Sequence, residues 1–284
     1  MNRRDFSKLV LTLPALTGCT SNSDESFIDT HCHLWESDDS LNCYAKYELA
    51  EIQEIAEPAG VRRFVVVVLH SDINEKYVMK VRQQHPDKVR VIANINPAQK
   101  NLAEEMKLNR EKGVLGYRIN SKFDGESWLK RPGVDKMWEI AADLDISICL
   151  LRKENVSVKS VLDMMKRHPG TKVVIDHLGL VNPQSIKEVS EFLELAQFEK
   201  CYVKFSRFFT DRVKQTGTEV IVPFFKKLNT AFGSERLMWG SNAPVEVGQK
   251  SDYSRAVNLI KEATFLSEKD KQNIMEKTAE KLFF

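Results

Sequence analysis

Eight short runs rich in β-branched and aromatic residues recur along this chain, and a segment of helical spacing separates each run from the next. The runs cover 27–31, 63–70, 89–96, 114–120, 146–152, 172–178, 201–206 and 237–242. Between and after them lie helical patterns at 48–59, 75–85, 101–112, 134–144, 156–168, 185–200, 219–231, 252–263 and 268–282. Phe64, Val65, Val66, Val67, Val68 and Leu69 form an unbroken apolar run. That pattern belongs to a parallel strand buried on both faces. His85 and His168 precede Pro86 and Pro169 and end helices, since the residue before proline is pushed out of helical geometry. Strict strand–helix alternation of this length predicts a single closed parallel (β/α)8 TIM barrel. An open doubly wound sheet is the rival, but no glycine-rich phosphate loop follows the first strand. No internal repeat and no linker appears after residue 26, so residues 27–284 read as one domain.

The N-terminus reads as an address. Arg3 and Arg4, with Phe6 and Lys8, resemble a twin-arginine export signal. An apolar stretch, too short to span a bilayer, leads to Leu16, Thr17, Gly18 and Cys19, which resembles a lipoprotein cleavage box. Residues 1–18 are then a signal peptide, Cys19 is the lipidated residue, and 19–26 is a polar tether. The expected location is the bacterial cell envelope, exported and held by lipid on the periplasmic side. An amphipathic N-terminal helix is the alternative. Roughly 265 residues remain, enough for one barrel.

Composition narrows the partners. A formal net charge of +2 with scattered basic residues offers no nucleic-acid stripe. The expected partners are a small-molecule substrate and, through the anchor, a membrane. Five cysteines occur, and Cys32, Cys149 and Cys201 lie in or beside apolar runs, so buried free thiols are expected rather than a disulfide framework. Cys43 is a weaker partner for Cys32.

Active sites of such barrels sit at the carboxyl ends of the strands. The first run delivers His31 and His33, two residues apart and so on one side of a strand, able to hold a metal or polarise a carbonyl. Asp29 precedes and Trp35 follows them. Arg118 lies inside an apolar run, where an unpaired charge is costly, and is expected to face a substrate anion or carbonyl. His177 ends the sixth run. Lys204 and Ser206 share one face of the seventh, and Asn242 ends the eighth. His70 and Arg152 are weaker candidates; His85 and His168 read as structural.

Together these residues resemble the amidohydrolase-2 group of the amidohydrolase superfamily, and within it the sugar-lactone and 2-pyrone-4,6-dicarboxylate lactonase-like branch. The marks are Asp29-Thr30-His31-Cys32-His33-Leu34-Trp35, Gly116-Tyr117-Arg118, Asp176-His177-Leu178-Gly179, Val203-Lys204-Phe205-Ser206, and Met238-Trp239-Gly240-Ser241 followed by Pro244. The resemblance implies a hydrolase that opens a small carbohydrate-derived or carboxylated lactone by attack of water. His31, His33 and His177 would polarise the carbonyl or stabilise the oxyanion. Arg118, Lys204, Ser206 and Trp35 are the candidate substrate contacts. Some members bind a divalent metal, here zinc or manganese through His31, His33 and His177, while lactonase members can work without one. The sequence departs from the family where Asn242 stands in place of Asp. An amide cannot take a proton from water near neutral pH. Asp29, Glu246 or a histidine is then the candidate base. The alternatives are a ligand-binding barrel without turnover and a metal-dependent decarboxylase or amidohydrolase of the same superfamily.

Overall fold

The computed structural model describes residues 26–36, 46–69, 73–121, 125–153, 156–207, 218–247 and 250–284. The export signal, Cys19, Cys43 and His70 lie outside them. Eight strands form one sheet in sequence order: β1 Phe27–Cys32, β2 Val61–Val67, β3 Val89–Ala93, β4 Val114–Asn120, β5 Ser147–Leu151, β6 Lys172–Ile175, β7 Cys201–Phe205 and β8 Leu237–Trp239. All seven consecutive pairings are parallel. The helices α1 Leu49–Ala56, α2 Ile73–Gln84, α3 Leu102–Glu111, α4 Val134–Asp143, α5 Lys159–Arg167 and α6 Ile186–Leu193 alternate with them. After β7 come α7 Thr218–Phe232 and, beyond β8, α8 Lys250–Lys261. The expected (β/α)8 barrel is what forms. Among the described residues no helix is long and apolar enough to cross a membrane.

The barrel closes where β1 meets the segment after β8. Cys32 and Ala243 make a parallel bridge, the His33 amide donates to Ala243 O at 2.8 Å, and the Asn242 amide donates to His31 O at 2.6 Å. Gly240 permits this approach, because a Cβ there would lie 2.8 Å from the His31 Cβ.

The strands divide two apolar layers. Ile28, Val65, Val67, Ile92, Cys149, Val174, Tyr202 and Met238 fill the barrel's interior. The alternate strand residues pack outward against the helices. Cys32, Cys149 and Cys201 are buried free thiols, as expected from their apolar surroundings.

The chain's last helices plug the amino-terminal end of the barrel. Ser267 caps α9 Glu268–Gln272 through a reciprocal box with Asp270. A π-helical turn, Asn273–Lys277, then leads into α10 Thr278–Phe283. Leu282 and Phe283 join the interior cluster. Arg90 fixes this plug: its Nε donates to Phe283 O at 2.8 Å, and its guanidinium lies 4.2 Å from the Phe284 ring centre. Phe283 is 2% exposed, so Phe283→Ala should leave a cavity costing about 3–5 kcal/mol. Urea unfolding measures this; an unchanged midpoint would mean that the plug contributes nothing to stability.

Candidate functional site

Two strands end earlier than their apolar runs suggest, and both early endings shape the site. β6 stops at Ile175 rather than 178, and β8 at Trp239 rather than 242. In each case the backbone turns left-handed. His177, Leu178, Gly179 and Leu180 have φ of 55°, 54°, 64° and 50°, and Asn242 has φ of 58°. Non-glycine residues in this region cost about 1–2 kcal/mol each. The first turn reverses the usual alternation. Adjacent strand residues point to opposite faces, yet Asp176 and His177 both reach the interior site.

His31, His33 and His177 come together as expected. The His31 ring lies 4.4 Å from that of His177 and 5.1 Å from that of His33, centre to centre. All three are buried. Burial, before any neighbouring charge, pushes His31 down to about 4 and His33 and His177 well below the usual histidine range. At neutral pH each is therefore a neutral imidazole with one N–H, and neighbours fix where that proton sits.

For His33 the choice is forced. Its Nδ1 lies 2.6 Å from Val67 O, which can only accept, so Nδ1 carries the hydrogen. Nε2 is then a lone pair, and the atom opposite it at 3.2 Å is placed as Asn242 Oδ1, a second acceptor. The two ends of an amide are interchangeable in shape, so the neutral ring selects the orientation in which the Asn242 NH2 donates. The Asn242 oxygen is left for another donor.

His31 is oriented by Asp176. Its Nδ1 lies 3.3 Å from Asp176 Oδ1, so Nδ1 carries the hydrogen. Neither buried ring nitrogen meets a partner in hydrogen-bond geometry among the described residues, so Asp176 acts on Nδ1 as a nearby charge and Nε2 is left unengaged. His177 Nδ1 meets the Ser206 hydroxyl at 2.8 Å.

Asp176 is the residue that sequence reasoning missed. It is fully buried, and three basic groups surround it: His31, Arg118 Nε at 3.2 Å and Lys204 Nζ at 3.4 Å. Burial would raise its carboxyl, but Lys204 first, then His31 and Arg118, hold it well below the usual carboxylate range. Arg118 and Lys204, expected to meet substrate, thus meet this carboxylate.

Two sequence candidates lie elsewhere. The β1–β2 register shifts between Asp29 and Cys32, and the bulge turns Asp29 away from the histidines. Its carboxylate accepts from the Ser241 amide at 2.9 Å, the Ser241 hydroxyl at 2.5 Å, the Tyr253 hydroxyl at 2.9 Å and the His31 amide at 3.0 Å. Trp35 is buried in the outer layer, its backbone paired with Tyr47. Arg152, after β5, donates from Nε to Gly179 O at 2.7 Å. His85 is exposed at a helix end, and His168 pairs with Asp135 at the surface.

Among the described residues no group of three or more His, Cys, Asp or Glu side chains is arranged to hold an ion. The His33 Nε2 is engaged by Asn242, and the strand-8 position supplies an amide oxygen, a poorer ligand than carboxylate.

Most of the chain has counterparts. The family model described as amidohydrolase matches residues 28–284. The L-fucono-1,5-lactonase of Burkholderia ambifaria is 23% identical over 247 residues, which cover 80% of this chain and 83% of that protein. A zinc-bound amidohydrolase of Burkholderia multivorans superposes with a TM-score of 0.77 at 18% identity, over 91% of this chain and 99% of the other. A Pseudomonas putida structure described as a 2-pyrone-4,6-dicarboxylic acid hydrolase superposes with a TM-score of 0.75 at 21% identity, over 91% and 97%. At these identities the two solved structures speak for the fold.

The Asp29 stitch has a measurable worth. Tyr253→Phe removes one of four donors from a buried carboxylate and should cost about 1–3 kcal/mol in urea unfolding. No loss would mean that the closing seam is held without it.

Proposed function

The chain belongs to the amidohydrolase family and is an enzyme, and from that premise we propose that it opens the lactone ring of a small sugar acid by side-chain-activated water. The observation that carries this is the His31–Asp176 pair. It leaves Nε2 a buried lone pair beside the His33 and His177 rings, with a carboxylate near Nδ1 to stabilise the imidazolium. The lactonase among the relatives supports a lactone as substrate.

In this reading His31 Nε2 takes a proton from water as the water oxygen bonds to the lactone carbonyl carbon. The Asn242 oxygen, turned away from His33, accepts a hydrogen bond from that water. With the Ser206 hydroxyl donating to Nδ1, His177 presents Nε2–H to the developing oxyanion. The tetrahedral intermediate collapses, the ring C–O bond breaks, and His31 returns its proton to the leaving oxygen. The product is a hydroxy acid, which releases a proton at neutral pH. Arg118 and Lys204 hold Asp176 ionised, which keeps His31 aimed.

A second reading is a barrel that binds such a lactone without turning it over, and Asn242 favours it. A third is metal-dependent chemistry of the same superfamily, favoured by the zinc in a structural neighbour. A panel of sugar-acid and dicarboxylate lactones followed with a pH indicator separates them. The wild-type protein should turn over a sugar lactone, and His31→Gln should lose roughly 10²–10⁴-fold with an unchanged circular dichroism spectrum. Turnover by Asn242→Asp but not by wild type would establish the second reading. Stoichiometric metal in active protein, with loss of turnover on chelation, would establish the third.

A further inference from the structure

The turn that aims His177 is held from behind by a residue that the proposed chemistry does not use. Arg152 follows β5, is 4% exposed, and its guanidinium reaches main-chain carbonyls of two segments. Nε donates to Gly179 O at 2.7 Å, inside the left-handed turn. Nη1 donates to Lys153 O at 3.1 Å and to Val156 O, in the loop after β5. On the other side, Phe192 of α6 packs so closely that a Cβ at Gly179 would come within 2.4 Å of its ring.

Consecutive left-handed residues persist only where their surroundings over-determine them. Here three supports converge: the Arg152 fork, the Phe192 ring and the His177–Ser206 hydrogen bond at 2.8 Å. The fork ties the turn to the end of β5, and the Ser206 hydrogen bond ties it to the end of β7. A planar guanidinium can donate in two directions at fixed angles, which a lysine ammonium cannot reproduce.

We propose that Arg152 is a positioning residue for His177: it holds the turn at 177–180 so that the imidazole points into the site rather than following the strand's alternation outward. The proposal rests on the reading above only in taking His177 as a site residue.

The test reads the ring directly, at one fixed pH near 7.5. Histidine side-chain ¹H–¹⁵N spectra are taken of the wild-type protein, Arg152→Met and Arg152→Lys, with His177→Gln identifying the His177 signals. In Arg152→Met the His177 signals should move, while those of His168, on the outer surface, stay in place. Arg152→Lys should show the same displacement in smaller degree. Where a lactone substrate is turned over, kcat should fall by up to ~10²-fold with little change in KM, as expected for a displaced group. Millimolar guanidinium should restore part of that loss in Arg152→Ala. His177 signals coincident with wild type in a folded Arg152→Met or Arg152→Lys protein would overturn the proposal. The spectra decide it even if no lactone is turned over, so its failure is distinct from failure of the lactonase reading. If Arg152→Met does not fold, Arg152→Lys decides on the same criterion.

Discussion

A carboxylate closes this barrel. Asp29 gathers four hydrogen bonds from Ser241, Tyr253 and the His31 backbone, and so pins β1 against the segment that follows β8. Everything at the rim follows from that seam. Asn242 can meet His33 only because the two chain segments are bridged at Cys32 and Ala243. The bulge that sends Asp29 outward is also what turns His31 and His33 inward. Gly240 is needed there because no side chain fits against His31.

The second carboxylate, Asp176, organises the charge inside. A buried ion needs partners, and taking one partner away typically costs about 3–5 kcal/mol. Lys204 from β7, Arg118 from β4 and His31 from β1 all turn to this one group. The arrangement ties three strands through one side chain. It also assigns the tautomer of His31, since a ring nitrogen facing a carboxylate keeps its hydrogen. In the proposed reading, stability and chemistry are coupled at this one residue, and Asn242 has no proton-accepting role.

Much of this was legible in the sequence. Apolar runs alternating with helical spacing gave the barrel, and the β4 boundaries agree to the residue. His31, His33, His177, Ser206 and Asn242 stand at or near the ends of those runs, and they converge. What was hidden depended on local departures from regular geometry. Asp176 precedes His177, and strand alternation would put the two on opposite faces. Only a left-handed turn at three non-glycine residues lets both turn in, and nothing in residue type announces that turn except Gly179. Asp29 looked like a partner of the histidines for the opposite reason: alternation would put it beside them, and a bulge removes it. Arg118 and Lys204 were visible as charges in apolar strands, but their shared partner lies 58 and 28 residues away along the chain. Contacts at such separations are set by tertiary packing.

In the proposed reaction a buried, carboxylate-backed His31 accepts the proton from water. The most direct test is the pH dependence of kcat/KM for lactone opening, which reports the base in the free enzyme. With His31 pushed down to about 4, its base form persists well below neutrality. The rate should therefore hold level from pH 7.5 down to about 5 while circular dichroism shows the protein folded. A fall by half near pH 6.5 in folded protein, where an ordinary histidine takes up its proton, would contradict the account.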